Sequence, residues 1–265
     1  MVYSQFTAQE LYCMAKLCKK KAMFGIPDGF ELLSDEERPQ AQLEVMDSLL
    51  SKQITRMDLD GKTVFADKAY RELISAICDC DACLTVNSQI GADRSEDIVF
   101  WSTANGILRA EVIEDRFVFG PEDAAGVKAY LSAVILKSRS SKAGLSATIP
   151  QIVLANAKRR VVDKKEEDAR RMLLQNGADV LTDAILTGLQ EKADYLGLLL
   201  MVNKPTEQPP QQAAFLCAGD ILLSLSDKVV SYRNCTVFSA CTEHEAAVQI
   251  ESLLDRFLSI QKEAQ

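Results

Sequence analysis

The fold is decided by residues 97–119, which read DIVFWSTANGILRAEVIEDRFVF. Runs rich in β-branched and aromatic residues alternate here with two turn-type pairs, Asn105-Gly106 and Asp115-Arg116. This spacing predicts three antiparallel strands joined by hairpin turns. The run at residues 82–88 has the same character and adds a strand before them, so the pattern predicts a sheet of four consecutive strands.

The same order of elements returns in the second half of the chain, around residues 212–236, QAAFLCAGDILLSLSDKVVSYRNCT. Two turn-type pairs recur there, Gly219-Asp220 and Asp227-Lys228. The first predicted unit consists of a helix at 67–79, strands at 82–88, 97–104, 106–115 and 116–119, and a helix at 121–137. The second predicted unit consists of a helix at 179–192, strands at 195–203, 212–218, 220–226 and 228–236, and a helix at 242–261. One unit alone would leave a sheet edge or face unburied. The sequence therefore predicts an α+β fold of two pseudo-symmetric α-β-β-β-β-α repeats.

A helical segment precedes the first repeat. Thr7 and Glu10 have the spacing of a capping box, and an apolar helical face follows them, which Gly25 and Pro27 are predicted to end. The stretch 138–150 is rich in serine and glycine and predicts a linker. We expect three regions: residues 1–137 with the N-terminal helices and first repeat, the linker 138–150, and residues 151–265 with the second repeat. A long charged helix over 151–175 is expected to open the last region, with its charges solvated.

Composition limits the classes of partner. The chain has 265 residues, 48% of them hydrophobic, which is enough for a sizeable core. Its formal net charge of -8 disfavours nucleic acid, because phosphate binding needs a concentrated positive surface. The longest apolar run, residues 195–202, is too short to span a membrane as a helix. The three lysines Lys19 to Lys21 follow the apolar residues of the first helix instead of preceding them, which is the wrong order for a secretory signal. We therefore expect a cytoplasmic protein.

The cysteines offer one candidate metal site. Cys78, Cys80 and Cys83 are the densest group among the eight cysteines, and zinc takes four tetrahedral ligands. They lie where a helix gives way to a strand, so their side chains should point in different directions. We expect free thiols, no disulfide and no metal, because cytosolic cysteines stay reduced and pack as small apolar residues. The alternative is a metal-binding protein or enzyme that uses these three cysteines.

Catalytic motifs are absent from the sequence. His244 is the only histidine, and it lies within Thr242 to Glu245, which has the spacing of a capping box. Neither the glycine-rich nucleotide motifs nor the G-x-S-x-G motif of hydrolases occurs. We therefore expect no enzyme activity and no cofactor, and a protein as partner.

Partner-binding candidates come from one aromatic pair and two loops. Phe100 and Trp101 should point to opposite faces of the sheet, so one of the two rings is in the core. The other ring, for which we choose Trp101, contacts either a partner protein or a helix that covers this face of the sheet. Corresponding long polar connections are predicted at 89–96, with Arg94, and at 204–211, with Gln208, Pro209 and Pro210. Each of these loops either recognises a partner or only links two strands in solvent. We predict that partner binding uses these two loops.

The order of elements also carries a resemblance. An opening capped helix is followed by Leu49-Leu50-Ser51-Lys52-Gln53-Ile54, a turn, Tyr70-Arg71-Glu72-Leu73-Ile74 and the duplicated unit. This arrangement resembles the EspG-like chaperones of type VII secretion. The resemblance implies a pseudo-twofold α/β fold that keeps secretion substrates soluble in the cytosol, and it transfers no site residue. Together these features predict a protein-binding chaperone or adaptor for secretion substrates, of unassigned oligomeric state.

Overall fold

One antiparallel sheet of ten strands carries both halves of the chain. The computed structural model describes residues 5–20, 23–91, 94–136, 144–203 and 209–263, with side chains described as far as residue 260. The strands are β1 Gln5–Thr7, β2 Thr55–Met57, β3 Thr63–Phe65, β4 Ala82–Ile90, β5 Arg94–Thr103, β6 Gly106–Ile113, β7 Arg116–Glu122, β8 Ser146–Pro150, β9 Asp194–Val202, β10 Gln211–Ala218, β11 Ile221–Val230 and β12 Arg233–Ala240.

The sheet has the order β1-β7-β6-β5-β4-β9-β10-β11-β12-β8, and β2 pairs with β3 separately. Each half therefore contributes four consecutive strands, and the two sets meet at the β4–β9 pair. The fold class predicted from the sequence, α+β, is confirmed. The strand order is the same in both halves, while the superposition of the two units stays a prediction.

Eight α-helices pack on the two faces of the sheet in the described part of the chain. They are α1 Ala8–Leu17, α2 Arg38–Ser51, α3 Lys68–Cys78, α4 Ala124–Val134, α5 Gln151–Val162, α6 Glu166–Gln175, α7 Thr182–Leu189 and α8 Glu243–Glu263. A 3-10 helix, Asp179–Leu181, precedes α7. No helix in these described ranges is long and apolar enough to cross a membrane.

The helices form three cores with the sheet. On one face, α4 and α8 cover the centre of the sheet around Phe100, Phe215 and Phe257. On the other face, α1 and α3 cover the first half around Trp101 and Ile77. The helices α5, α6 and α7 cover the second half of that face around Leu173 and Phe238.

Local capping fixes the starts of the terminal helices. Glu10 N donates to Thr7 Oγ1 at 3.2 Å, and Thr7 N donates to the Glu10 carboxylate at 3.1 Å. Thr242 and Glu245 make the same reciprocal pair, with distances of 3.1 and 2.7 Å. Both capping boxes are therefore present as the sequence predicts, because each needs contacts only three residues apart.

Among the predicted boundaries that are wrong, three concern helix ends and the linker. The opening helix ends at Leu17 and not at Gly25, because Lys19 takes a left-handed φ of 58° directly after it. The helix predicted over 121–137 begins only at Ala124, since β7 runs on through Glu122. The last five residues of the predicted linker form the strand β8, which pairs with β12. Residues 138–143 of that stretch lie outside the described residues, and the division into regions stays a prediction.

The helix predicted over 151–175 is two helices. Lys164 takes a left-handed φ of 59°, and Lys165 N donates to Arg160 O at 2.8 Å, which ends α5 and lets α6 fold back. The reversal puts Ala157 of α5 and Leu173 of α6 in the same core. A continuous helix would carry one of these apolar faces away from the sheet.

Candidate protein-binding surface

The strand ends that flank the two loops predicted to bind a partner lie at opposite ends of the sheet, while residues 92–93 and 204–208 themselves lie outside the described residues. The strands β4 and β9 are antiparallel, with Ala82 opposite Val202 and Gln89 opposite Tyr195. The β4–β5 connection therefore follows the end of β4 that lies beside the start of β9, and the β9–β10 connection follows the other end. Nine residues of strand separate them, on the order of 25–30 Å. The described strand ends beside the two loops therefore do not belong to one surface.

The first of these loops is also much shorter than predicted. Pairing between β4 and β5 continues to Ile90 opposite Arg94, so only residues 91–93 connect the strands. The polar residues that suggested a loop, such as Ser95 and Glu96, are exposed or half-buried strand positions. Arg94 bonds within its own strand, with Nη2 at 2.6 Å from a Glu96 carboxylate oxygen. This ion pair anchors Arg94 to its own strand.

Trp101 is not a surface residue, contrary to the prediction. Its side chain is 0% exposed, and the indole Nε1 donates to Phe24 O at 2.7 Å. Its ring lies 5.9 Å from the Phe119 ring, centroid to centroid. Phe100 is equally buried on the opposite face, because helices cover both faces of the sheet at this strand. Of the two alternatives for Trp101, the structure contains the second, because α1 and α3 cover this face of the sheet.

Pro209 and Pro210 are exposed where the chain enters β10. Gln208 lies outside the described residues. The antiparallel order of β10, β11 and β12 puts the tip of the β11–β12 hairpin at this same end of the sheet. The hairpin tip, residues 226–234, therefore lies at the same end of the sheet as the two prolines, and it becomes the candidate site.

The hairpin tip differs from its prediction in the place of its turn. The strand β11 runs straight through the predicted turn Asp227-Lys228, and the chain reverses at Ser231-Tyr232. Both turn residues have positive φ, 49° and 63°, as in a two-residue type I′ hairpin. Asp227 stays in the strand because its carboxylate accepts from Thr236 Oγ1 at 3.0 Å and Gln151 Nε2 at 3.1 Å. These bonds also tie the hairpin to the start of α5.

Apolar side chains concentrate on this tip. Tyr232 is 102% exposed, Val229 66% and Val230 37%. Ile152, next to the Gln151 anchor, is 66% exposed. Large apolar groups held out on both faces of an ordered hairpin, at the same end of the sheet as two exposed prolines, are of the kind that marks protein interaction sites.

The charges of the hairpin tip contrast with those of the whole chain. The tip carries Lys228 and Arg233 and one carboxylate, Asp227, which two side chains already bind. Val230 pairs with Arg233 and Lys228 with Cys235, so both cations lie on the face that carries Val230. A local positive excess on a chain of net charge -8 favours an acidic partner surface.

Sequence reasoning missed this hairpin because Asp-Lys is the stronger turn signal than Ser-Tyr. One available signal was the run Val229-Val230 after the predicted turn. Two adjacent β-branched residues favour a continued strand. In a strand with one buried face, only one of the two side chains can point into the core, so the other is left on the surface.

An opening lies between α3 and the β5–β6 turn, with a volume of about 300 Å³. Among its described lining residues the single charged side chain is Glu72. It brings no second acid, base or nucleophile to Glu72, so its geometry supports no particular reaction.

The cysteine cluster is spread over a helix end and a strand. Cys78 ends α3, Cys80 lies in the connection and Cys83 lies in β4, and all three are free and buried. Over the described stretches of the chain, no three histidine, cysteine or acidic side chains are grouped to hold a metal. The expectation that the protein carries no zinc stays a prediction. His244 is exposed in the first turn of α8.

Burial changes the acidity of these thiols. It raises the pKa of Cys78 to about 11 and that of Cys80 to about 12, with a further increase from the neighbouring carboxylates Asp79 and Asp81. Burial also raises the pKa of Cys83. The native thiols are neutral at physiological pH and therefore poor nucleophiles.

We predict a loss of stability in alkaline solution from these thiols. Their ordinary pKa is 9.0, so above pH 9 the unfolded chain releases protons that the native chain keeps. Stability from this source is complete below pH 9 and falls as pH rises towards 11–12. Urea unfolding from pH 7 to pH 10.5 should show the fall. A Cys78→Ala/Cys80→Ala variant should show a shallower one, and equal slopes for both proteins would contradict the prediction.

Comparisons with known proteins give a structural likeness and no family. No protein-family model matches the chain, and no curated protein matches it. Among solved structures, the chain is similar to the Mycobacterium tuberculosis type VII secretion system chaperone EspG5, solved in complex with a PE25-PPE41 dimer. The TM-score is 0.48 at 11% sequence identity, and the match covers 95% of each chain. A likeness of this degree neither assigns the chain to a family nor transfers a partner to it.

Proposed function

We propose that this chain is a cytoplasmic protein-binding chaperone or adaptor without enzyme activity, and that the hairpin tip is its partner-binding surface. The observation that carries the proposal is the exposure of Val229, Val230 and Tyr232 on an ordered hairpin. Exposing these side chains to water is unfavourable, at up to about 1.5–3 kcal/mol for a full apolar side chain. A partner that covers them recovers that free energy.

The hairpin is suited to recognition because it is held in place before a partner arrives. The type I′ turn, the pairing of β12 with both β11 and β8, and the Asp227 bonds to Thr236 and Gln151 fix its backbone. A surface that is already ordered loses little conformational entropy on binding. Because strand pairing already orders the hairpin backbone, its affinity for a partner should be higher than that of a flexible loop with the same residues.

The role in secretion is the more specific part of the proposal. It rests on the resemblance of the order of elements to EspG-like chaperones described above. A chaperone of this kind would keep an aggregation-prone secreted protein in solution until export. The binding role and the secretion role are separate claims, and each has its own measurement.

The binding role is tested with the full chain as bait in an extract of the organism that encodes it. A partner should co-purify at fixed stoichiometry and remain bound in size-exclusion chromatography. The variant Val230→Ser/Tyr232→Ser should lose about 100-fold or more in affinity for that partner, because central aromatic and apolar anchors dominate interface energies. Its free energy of unfolding should stay within about 0.5 kcal/mol of the native value, since both side chains are on the surface.

Leu59→Ser is the matched control. Leu59 is 107% exposed on the separate β2–β3 hairpin, so the change removes a similar exposed apolar group elsewhere. Affinity should be unchanged in this variant. Equal loss in both variants, or none in either, would place the binding surface outside the hairpin tip.

The secretion role predicts that the partner sediments when alone, stays in solution with the chain, and is found in the culture medium.

A further inference from the structure

The ten-stranded sheet splits between β10 and β11 at the end that carries the hairpin tip. Pairing of these strands ends at Ala214 opposite Leu225. Beyond this point β10 continues to Gln211 on β9 alone, and β11 continues to Val230 on β12 alone. The segment 226–230 of β11 therefore has one edge that pairs with no other strand in the described chain, and all five residues are exposed.

The alternation of the ladder identifies the free backbone groups. Cys241 N donates to Leu222 O at 3.0 Å, so the even-numbered residues of β11 bond to β12. The odd-numbered residues point the other way and bond to β10 as far as Leu225. Asp227 and Val229 are the next two odd positions. Their N–H and C=O groups form the open edge.

We infer that this edge accepts an extended segment of the partner protein as an additional antiparallel or parallel strand, with acidic residues on one face and apolar residues on the other. An added strand satisfies the N–H and C=O groups of Asp227 and Val229, the mode of recognition known as β-augmentation. The inference deepens the proposed function, on which it rests, by stating the chemistry of the partner.

The faces of β11 select the side chains of that strand. Lys228 and Val230 lie on one face together with Arg233, and Asp227 and Val229 lie on the other. Acidic side chains of an added strand are favourable beside Lys228, with Arg233 on the same face one strand further away, whereas on the opposite face they would meet the Asp227 carboxylate. Apolar side chains fit that opposite face beside Val229, which is 66% exposed. A strand with alternating acidic and apolar residues meets both requirements.

Two synthetic peptides test the chemistry directly. One is a seven-residue peptide of alternating valine and glutamate, and the other has lysine in place of every glutamate. The readout is the amide resonance and hydrogen exchange of the isotope-labelled full chain. The glutamate peptide should bind roughly fivefold tighter than the lysine peptide, because glutamate is attracted to Lys228 across the strand pair whereas lysine is repelled by it. It should also slow exchange of the Asp227 and Val229 amides about tenfold, while the Thr148 amide on β8 is unchanged.

Proline substitution separates strand addition from simple apolar contact. Val229→Pro removes the outward N–H without removing a bond to β12, and proline is tolerated on edge strands. This variant should lose about tenfold in affinity for the glutamate peptide. Val229→Ala keeps the N–H and should lose less than about threefold. Thr148→Pro is the matched control, because Leu145 O accepts from Ala240 N at 2.8 Å and Thr148 therefore faces the outer edge of β8.

Each outcome decides between the claims. Protection of the two amides, together with a loss in Val229→Pro and none in Thr148→Pro, supports strand addition. Equal binding of both peptides, or equal losses in Val229→Pro and Val229→Ala, overturns it. A captured partner that is lost in Val230→Ser/Tyr232→Ser but retained at full affinity by Val229→Pro would overturn strand addition and leave the proposed function standing. Amide protection by the peptide without any captured partner would contradict the proposed function instead.

Discussion

Trp101→Ala should lower the free energy of unfolding by about 3–5 kcal/mol, the range for removing a large buried aromatic side chain. The side chain is 0% exposed, packs on Phe119, and donates its only polar hydrogen to Phe24 O. Its removal leaves a cavity and a carbonyl without its donor. Urea unfolding followed by far-ultraviolet circular dichroism is the measurement, because Trp101 is the only tryptophan and its fluorescence is lost in the variant.

Two further variants separate the causes. Trp101→Phe keeps a ring in the core but removes the hydrogen bond to Phe24, and should cost less, about 1–3 kcal/mol. Tyr232→Ala removes an aromatic ring from the surface and should change stability by less than about 0.5 kcal/mol. A Trp101→Ala protein of native stability that binds its partner more weakly would show that the ring is a surface anchor after all.

The sequence predicted correctly what depends on near neighbours. The capping boxes at Thr7 and Thr242 and the Gly219-Asp220 turn need only residues a few positions apart, and all three are present. The strand content of both halves followed from β-branched and aromatic runs. These features require no knowledge of which elements touch.

The errors arose where distant contacts decide the local structure. Asp227-Lys228 is a good turn pair in isolation, yet bonds from Thr236 and Gln151 hold Asp227 in a strand. The break in the helix after Val162 serves to bury Ala157 and Leu173 in one core. Neither Gln151 nor Leu173 can be recognised as a partner from spacing along the chain.

The candidate site was only partly predictable for a topological reason. Corresponding loops of the two halves were both predicted to bind the partner. In the sheet, however, β4 and β9 run in opposite directions, so corresponding loops lie at opposite ends. Pro209 and Pro210 are exposed at the hairpin end of the sheet, while Arg94 lies at the other end, and the role of all three in partner binding stays a prediction. The split between β10 and β11 has no signal in residue composition, because it is a loss of pairing and not a change of strand propensity.

Gly25 was predicted to end the opening helix, but its place in the structure has a different cause, which is close packing. It does not end α1, which stops at Leu17. It lies on the sheet, directly after Phe24, the residue that accepts the Trp101 hydrogen bond. A Cβ at Gly25 would lie 2.5 Å from Cys83 Sγ and 2.9 Å from Val99 Cγ1, and the φ of +73° disfavours any side chain.

Gly25→Ala should therefore destabilise the protein by about 2–5 kcal/mol, about 1–2 from the left-handed backbone and about 1–3 from overpacking of the core. Gly61→Ala is the matched control. Gly61 has the same φ of +73° with nothing within 4 Å of its added Cβ, so it should show the backbone cost alone. The difference between the two variants in urea unfolding measures how tightly the Phe24–Gly25 segment is packed on β4 and β5. Equal losses would mean that Cys83 and Val99 move aside without cost, and that this segment is not a fixed part of the core around Trp101.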